Sequence, residues 1–202
     1  MKIYSTLANG SKIIDGQFLL DAYCNGIFPM ADGTAGEIHW FSPEQRGIIP
    51  LDGLKISRSL RQTLRKNIFE IRIDSDFEKT IRACAEREDI WISEIIVQSY
   101  LNLHYYGFAH SVECWNNNTL VGGLYGVAIG GAFFGESMFS RMNDASKTAL
   151  VALVQQLNEK GFVLLDTQYV NSHLATLGCV EIPKEEYLER LRIAIQLHCN
   201  FN

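Results

Sequence analysis

Apolar residues recur along the chain with two different periods, and the period indicates the kind of element. Recurrence every three or four residues is typical of a helix, whereas alternation with other residues or a short continuous run is typical of a strand. The helical pattern predicts helices over residues 17–24, 56–66, 76–87, 93–106, 144–160, 171–177 and 185–197. The other pattern predicts strands over residues 69–73, 110–115, 119–128, 132–135 and 162–167.

Capping and turn-forming residues support these boundaries. Asp76, Ser93 and Asp144 precede predicted helices and are typical N-cap residues. The turns at 116–118 and 130–131 are rich in asparagine and glycine, so they predict an antiparallel three-strand meander. The first fifty residues are dense in turn formers and contain one short helix. We therefore predict a small N-terminal lobe over residues 1–50 and a larger domain over residues 51–202.

The order of elements predicts the fold class. In the larger domain a strand is followed by two helices, the three-strand meander, a helix, a strand and a helix. This order is typical of an α+β or mixed α/β fold. No internal repeat or low-complexity linker interrupts it.

The composition excludes several classes of protein. The chain has 202 residues, of which 47% are hydrophobic and 20% charged, as in ordinary globular domains. The uncharged, glycine-rich stretch over residues 119–135 is shorter than the roughly 20 residues that span a bilayer. Residues 1–14 lack the basic start and apolar run of a signal peptide. We therefore expect no membrane partner.

The cysteines and histidines indicate the compartment and argue against a metal. The five cysteines are widely spaced and form no C-x-x-C pair, which is typical of a protein in a reducing cytosol. The five histidines show no spacing that is typical of metal ligands. We therefore expect a cytoplasmic protein without disulfides, metal or zinc site, and we predict that Cys84 and Cys114 lie in the core.

One short segment runs against the acidic balance of the chain. The net charge is -5, which by itself argues against a nucleic-acid partner, yet residues 55–72 hold six basic side chains and one acidic one. One face of the predicted helix over 56–66 carries the basic residues Arg58, Arg61 and Arg65, with Lys66 next to them. The opposite face carries Ile56, Leu60 and Leu64. This pattern favours a solvated amphipathic helix, and its functional alternative is a surface that contacts phosphates.

Two carboxylates follow apolar segments and are candidate site residues. Glu136 follows the predicted strand over 132–135, and Asp166 lies near the end of the strand over 162–167. A carboxylate at a buried strand end is costly unless a partner compensates it, so both are candidates for chemistry. The alternative, about equally supported for either residue alone, is that they cap the helices that follow. Gln168 is two residues beyond Asp166, so regular alternation would place both side chains on one face.

Longer motifs around these residues carry a family resemblance. The stretches are WFSPEQRGIIPL at 40–51, GESMFSRM at 135–142, ASKTAL at 145–150 and D-T-Q at 166–168. Over residues 18–188 the chain resembles the leucyl/phenylalanyl-tRNA–protein transferases. The resemblance implies a domain with the fold of the GCN5-related N-acetyltransferases behind a small N-terminal domain, with which the predicted element order is compatible. It implies transfer of leucine or phenylalanine, with methionine as a third candidate, from aminoacyl-tRNA to proteins that begin with lysine or arginine. This transfer marks them for degradation.

The resemblance also implies roles for individual residues. Glu136, Asp166 and Gln168 would form the active site, with Gln168 held by Asp166 and orienting the acceptor amine while Glu136 binds an ammonium group. Which of them is the base stays open at this point. No cofactor is expected, because the aminoacyl ester is already activated.

Two binding regions follow from the same resemblance. The amino-acid side chain would lie in a pocket formed by Leu124, Phe133, Met138, Leu150, Leu153 and Leu165, which from the pattern alone are ordinary core residues. Trp91 would stack on the terminal adenosine of the tRNA. Met30 stands where some relatives carry a second tryptophan, so it would be the second adenosine contact. The basic helix with Arg58, Arg61, Arg65 and Lys66 would contact the tRNA.

Two other functions are compatible with parts of the sequence. An acetyl-CoA-dependent N-acetyltransferase of the same fold would need a glycine-bearing pyrophosphate loop, but the corresponding turn at 141–146 contains no glycine. A non-catalytic tRNA-binding module would account for the basic helix but not for Glu136, Asp166 and Gln168. The aminoacyltransferase is therefore the preferred hypothesis.

Overall fold

The computed structural model describes residues 2–33, 37–86 and 91–202. Over these ranges the chain forms eleven strands and seven helices. In chain order they are β1 (Tyr4–Thr6), β2 (Lys12–Ile14), α1 (Gly16–Cys24), β3 (Phe28–Ala31), β4 (Ile38–Phe41), β5 (Gln45–Ile48), α2 (Arg58–Lys66), β6 (Glu70–Ile73), α3 (Phe77–Ala85), α4 (Glu94–Tyr105), β7 (Ala109–Asn116), β8 (Thr119–Ile129), β9 (Ala132–Ser140), α5 (Ala145–Glu159), β10 (Leu164–Gln168), α6 (Ser172–Thr176), β11 (Val180–Pro183) and α7 (Lys184–Ala194).

A seven-stranded sheet organises the fold. Its strand order is β11-β5-β10-β9-β8-β7-β6, and β9 and β10 are parallel neighbours within an otherwise antiparallel arrangement. Helices cover both faces, so the mixed α/β class is confirmed. The closer likeness to GCN5-related N-acetyltransferases stays a prediction. The predicted meander is also confirmed, and its first turn places Asn117 and Asn118 at φ 47° and 59°, as a tight hairpin requires.

Two apolar clusters fill the space on the two sides of the sheet. One contains buried residues of α1, α3, α4 and α7, and the other contains buried residues of α2 and α5. Cys84 and Cys114 are fully buried, one in each cluster, as predicted. None of the helices in the described ranges is long and apolar enough to cross a membrane.

The sequence pattern did not predict the short strands of the first fifty residues. β1 pairs with β2 and β3 pairs with β4 in two separate hairpins, but β5 lies in the large sheet between β10 and β11. The division at residue 50 stays a prediction, and β5 already joins the preceding segment to the main sheet. Its sequence, Gln-Arg-Gly-Ile, is too short and too polar to reveal a buried strand.

Helix capping differs from the prediction at two positions. Asp76 caps α3 by accepting from the backbone N–H of Lys79, but Ser93 and Asp144 occupy N-cap positions without a side-chain capping bond. Asp144 has φ 62°, and its carboxylate instead accepts from the Thr63 hydroxyl at 2.9 Å. This contact fastens α2 to the start of α5. The predicted end of α3 at residue 87 lies outside the described residues, and the helix is seen to Ala85.

Candidate active site

Glu136 lies on a bulge inside β9, not at a strand end. Tyr125 pairs with Ser137 and Gly126 pairs with Gly135, so Glu136 is the extra residue on its strand. A bulge redirects one side chain relative to the regular alternation. The alternative that Glu136 caps the following helix is therefore wrong. The sequence misled because Gly135 and an acidic residue are typical of a strand end, whereas β9 continues to Ser140.

Two tyrosines and a glutamine surround the Glu136 carboxylate. Oε1 accepts from the Tyr23 hydroxyl at 2.7 Å and from Gln168 Nε2 at 3.1 Å, and Oε2 accepts from the Tyr100 hydroxyl at 3.1 Å. The two tyrosine hydroxyls also bond to each other. Tyr23 comes from α1 and Tyr100 from α4, so three parts of the chain converge on a carboxylate that is 8% exposed.

Burial sets the protonation of this group. Desolvation raises the pKa of Glu136 to about 7, although the hydrogen bonds from Tyr23 and Tyr100 lower it. Burial and the neighbouring carboxylate raise the pKa of both tyrosines well above the ordinary value, so they remain hydroxyl donors. A carboxylate that titrates near neutrality can both take and return a proton during a reaction.

Asp166 is sealed from solvent and is fully hydrogen-bonded. Its Oδ1 accepts from Arg46 Nε at 2.9 Å and from the backbone N–H of Gln168 at 2.8 Å. Its Oδ2 accepts from Arg46 Nη2 at 2.6 Å and from the Tyr187 hydroxyl at 2.7 Å. The alternative that Asp166 caps a helix is therefore also wrong, since Asn171 caps α6.

A second bulge separates Asp166 from Gln168. Along β5 the partner of Asp166 is Ile48 and that of Gln168 is Gly47, so Thr167 is inserted between them. Gln168 has φ 59° and extends its side chain to Glu136, whereas Asp166 turns to Arg46. The expected shared face is therefore not found. Asp166 does hold Gln168, but through its backbone N–H, and the side chain of Gln168 is held by Glu136.

Sequence reasoning missed four residues that complete this arrangement: Tyr23, Arg46, Tyr100 and Tyr187. The tyrosines lie at helix positions that fit ordinary core packing, so no local signal distinguishes them. Arg46 had a weak signal, because an arginine directly before Gly-Ile-Ile is unusual in a buried strand. Their importance comes from contacts between residues up to 141 positions apart.

A cavity of about 720 Å³ opens beside Glu136 and Gln168. Five of the six predicted pocket residues line it: Leu124, Met138, Leu150, Leu153 and Leu165. The sixth, Phe133, is fully buried, stacks on Phe201 and does not contribute to the lining. The cavity thus combines an apolar wall from β8, β9, α5 and β10 with the polar pair Glu136 and Gln168. Asp166 is absent from its lining.

Comparison with known families identifies the family of the chain. The family model described as leucyl/phenylalanyl-tRNA protein transferase matches residues 48–192, and the model of its N-terminal domain matches residues 14–44. The chain belongs to the leucyl/phenylalanyl-tRNA–protein transferase family. Glu136, Gln168 and the whole apolar wall lie within the range that the larger model matches.

Relatives in this transferase family match nearly the whole chain. Proteins named leucyl/phenylalanyl-tRNA–protein transferase from Rubrobacter xylanophilus, Gloeobacter violaceus and Herpetosiphon aurantiacus are 52%, 50% and 49% identical to it. The matches cover 90%, 92% and 95% of this chain and 95%, 96% and 100% of theirs. Among solved structures, L-PGS from Bacillus licheniformis is 12% identical, with a TM-score of 0.42 over 79% of this chain and 55% of that one. At this score the likeness does not establish a shared fold.

Met30 and Trp91, the two predicted adenosine contacts of the transferase family, both line the cavity. Met30 lies on β3, and the neighbouring backbone N–H of Ala31 donates to the carbonyl of Trp91 at 3.0 Å. This bond joins β3 to the segment that carries Trp91, and adenosine binding stays a prediction. In the described part of the chain no three His, Cys, Asp or Glu side chains are grouped so as to hold a metal.

The basic helix is amphipathic, as predicted. Arg58, Arg61, Arg65 and Lys66 are exposed on α2, whereas Leu60 is 1% exposed and packs in the cluster around α5. None of the four basic side chains lines the cavity. Contact with tRNA therefore stays a prediction for this surface, and it would be separate from contact with the reacting groups.

Proposed function

We propose that the protein transfers leucine or phenylalanine, with methionine as a third candidate, from aminoacyl-tRNA to the α-amino group of an acceptor protein. The observation that carries this proposal is the cavity in which Glu136 and Gln168 share one lining with a wall of leucines and Met138. Membership in the transferase family supports the same reaction. A cytoplasmic location fits a reaction that consumes aminoacyl-tRNA.

The reaction needs a neutral amine beside an activated ester. We assign the role of general base to Glu136, the buried carboxylate that lines the cavity, which accepts a proton from the acceptor ammonium. The freed amine attacks the ester carbonyl carbon, a C–N bond forms, and collapse of the tetrahedral intermediate breaks the C–O bond to the ribose. The proton held by Glu136 then passes to the ribose oxygen, and the second proton that the nitrogen loses as the amide forms is released to solvent, so the transfer balances without a cofactor. Gln168, anchored on Glu136, orients the amine.

The charge of the cavity suits a cationic acceptor. Within the described ranges the carboxylates that line it are Glu86 and Glu136. An N-terminal lysine or arginine presents two cations, the α-ammonium and its side chain. Glu86 forms an ion pair with Arg141 at 2.7 Å. Because both side chains are exposed, a cationic ligand can displace Arg141 from Glu86 at low cost. We therefore propose acceptors that begin with lysine or arginine, which the transfer would mark for degradation.

A single incubation tests this function. The protein is mixed with leucyl-tRNA and a peptide that begins with arginine, and the product is analysed by mass spectrometry. We expect leucine on the α-amino group, and none on a matched peptide whose N-terminus is acetylated. Transfer of acetyl from acetyl-CoA in place of leucine would indicate an acetyltransferase. Binding of tRNA without any product would indicate a binding module.

The apolar wall predicts how the enzyme selects amino acids. A wall of leucines and Met138 should admit side chains that are unbranched at Cβ and clash with isoleucine. Because pockets discriminate small shape differences by about 1–3 kcal/mol, isoleucyl-tRNA should be used roughly 10–200-fold less efficiently than leucyl-tRNA. Met138→Ala should narrow this difference by enlarging the pocket, while Phe133→Leu, outside the lining, should preserve it. Equal use of both tRNAs by the wild type would contradict the assignment.

The basic helix predicts a salt dependence. If α2 contacts the tRNA backbone, the Arg58→Ala, Arg61→Ala, Arg65→Ala triple variant should bind tRNA more weakly at low salt, with the difference shrinking as salt rises. Each lost phosphate contact lowers the slope of log affinity against log salt by about 0.7–0.9. Exchange of the exposed Arg190 and Arg192 of α7 for alanine, compared with the Arg58→Ala, Arg61→Ala double variant, is the matched control. An aminoacyl-adenosine analogue without a stem should react equally with wild type and triple variant, and a loss there would contradict a tRNA-contacting role.

A further inference from the structure

Asp166 has no capacity left to take a proton from a substrate. An ionised carboxylate offers about four acceptor positions, and four donors from three residues already occupy them. The side chain is 0% exposed and contributes nothing to the cavity lining. Any effect of Asp166 on the proposed reaction must therefore act through a residue that it contacts.

The arginine that binds Asp166 is itself held on every side. Arg46 is 1% exposed, and Nη1 donates to the carbonyl of Gly26 at 3.0 Å. Its guanidinium lies over the rings of Phe28 and Tyr187, 4.7 and 4.5 Å from their centroids. Although burial alone would lower the pKa of Arg46, the adjacent Asp166 raises it, so the arginine stays charged.

This arrangement requires a close approach of the chain at Gly26. Gly26 has φ 73°, and a Cβ there would lie 3.1 Å from the Tyr187 ring and 2.8 Å from Leu188. The carbonyl that accepts from Arg46 therefore sits where only glycine fits. The segment after α1, strand β5, strand β10 and helix α7 all meet at this point.

The residue through which Asp166 affects the cavity is Gln168. Its φ of 59° is unfavourable for a residue with a side chain, and one bond that restrains it is the 2.8 Å contact from its N–H to Asp166. In that conformation its Nε2 reaches Glu136 at 3.1 Å. If the Asp166 carboxylate were free to rotate, it would lose the bond from this N–H, and the Gln168 side chain would no longer be directed to Glu136.

We infer that Arg46 and Tyr187 are positioning residues, which fix Asp166 so that its contact with the Gln168 backbone directs the Gln168 side chain to Glu136 in the substrate cavity. This assignment rests on the proposed function for its catalytic consequence. It makes Asp166 a structural anchor of the site and leaves Glu136 as the group that exchanges the proton.

The test compares Tyr187→Phe with Trp115→Phe. The first removes one hydroxyl from Asp166 and keeps the ring over Arg46. The second removes one donor, at 2.8 Å, from Glu113, another fully buried carboxylate, which lies outside the cavity lining. Hydrogen bonds to charged groups are strong enough that Tyr187→Phe should lower kcat for leucine transfer by about tenfold. KM for leucyl-tRNA and peptide should stay unchanged, and Trp115→Phe should lower only the thermal midpoint.

Two further readouts separate positioning from other roles. The pH profile of kcat in Tyr187→Phe should keep its acid limb, because Glu136 is intact, and the limb should be absent from the Glu136→Gln, Tyr187→Phe double variant; a limb that persists there would identify Asp166 as the base and overturn the inference. In crystal structures of Tyr187→Phe and of Arg46→Lys, Gln168 should leave the left-handed region or its contact with Glu136 should exceed about 3.5 Å. Unchanged Gln168 geometry, or an unchanged kcat in Tyr187→Phe, would also overturn it.

The crystallographic readout does not depend on activity. If the wild type fails to transfer leucine, the proposed function is wrong, and the geometry of Gln168 still decides whether Arg46 and Tyr187 position it. If Arg46→Lys does not fold, Tyr187→Phe supplies every readout on its own.

Discussion

Glu136→Gln is expected to lower the rate of leucine transfer by about 10²–10⁴-fold, the range typical of a lost acid–base group. Glutamine has nearly the same shape and can still accept from the tyrosine hydroxyls, so the fold should be retained. What disappears is the ability to take the proton of the acceptor ammonium. The measurement is single-turnover transfer from leucyl-tRNA to an arginine-initiated peptide, with the circular dichroism spectrum recorded for each variant.

Glu113→Gln provides a matched control for this substitution. Glu113 is also fully buried and accepts three hydrogen bonds at 2.8 Å, from the Asp76 backbone, Ser111 and Trp115. It does not line the cavity. Its substitution should lower the thermal midpoint and leave the transfer rate within about twofold of wild type, since surrounding structure rather than chemistry is affected. Equal rates for the wild type and Glu136→Gln would remove Glu136 from the mechanism.

The transfer rate should rise with pH through about 7, the pKa to which burial raises Glu136. The titratable groups that face this carboxylate are Tyr23, Tyr100, Asp166 and Arg46, and both tyrosines keep their protons over this range. We therefore assign the rising limb to Glu136. It should be absent from the residual activity of Glu136→Gln, whereas a limb that persists there would assign the titration to another group.

Stability should respond to pH in the opposite sense. The pKa of Glu136 is raised from 4.5 to about 7 in the folded protein, so between these values the folded state binds more protons than the unfolded state. The contribution of Glu136 to stability therefore falls as pH rises from 4.5 to 7, by about 3 kcal/mol for a shift of this size. In urea unfolding, the free energy of unfolding of Glu136→Gln should increase relative to that of the wild type as pH rises over this interval. A constant difference would contradict the raised pKa.

Local patterns predicted the elements that depend on local chemistry. The helices and the meander follow from apolar spacing and from turn residues such as Asn117 and Gly130, and all were found. β5 was not predicted because its burial comes from strands more than a hundred residues further along the chain. Glu136 and Gln168 were selected correctly as residues near one another, but both bulges escaped detection. A bulge is defined by the pairing of two strands, so the sequence of one strand does not reveal it.

The sequence predicted most of the residues that line the cavity and missed those that hold them in place. Glu136, Gln168 and five wall residues lie at the cavity, in agreement with the resemblance, whereas Phe133 does not line it. Asp166 was selected for its cost of burial, and that reasoning was sound, since Arg46 compensates it. The identity of the partner could not be inferred, because 120 positions separate the two residues and only the folded chain brings them together.

The parallel pairing of β9 with β10 places most of the cavity-lining residues in one segment of the sequence and their supporting residues in others. Parallel neighbours require a crossover, here α5, so Glu136, Met138, Leu150, Leu153, Leu165 and Gln168 belong to one βαβ unit over residues 132–168, whereas Leu124 of the same wall lies on β8, outside it. The residues that hold this unit in place come from elsewhere: Tyr23, Arg46, Tyr100 and Tyr187. If this wall selects the amino acid, most of its selectivity is encoded in that one contiguous segment. Exchanging the segment together with residue 124 between two relatives should then transfer the preference from one to the other.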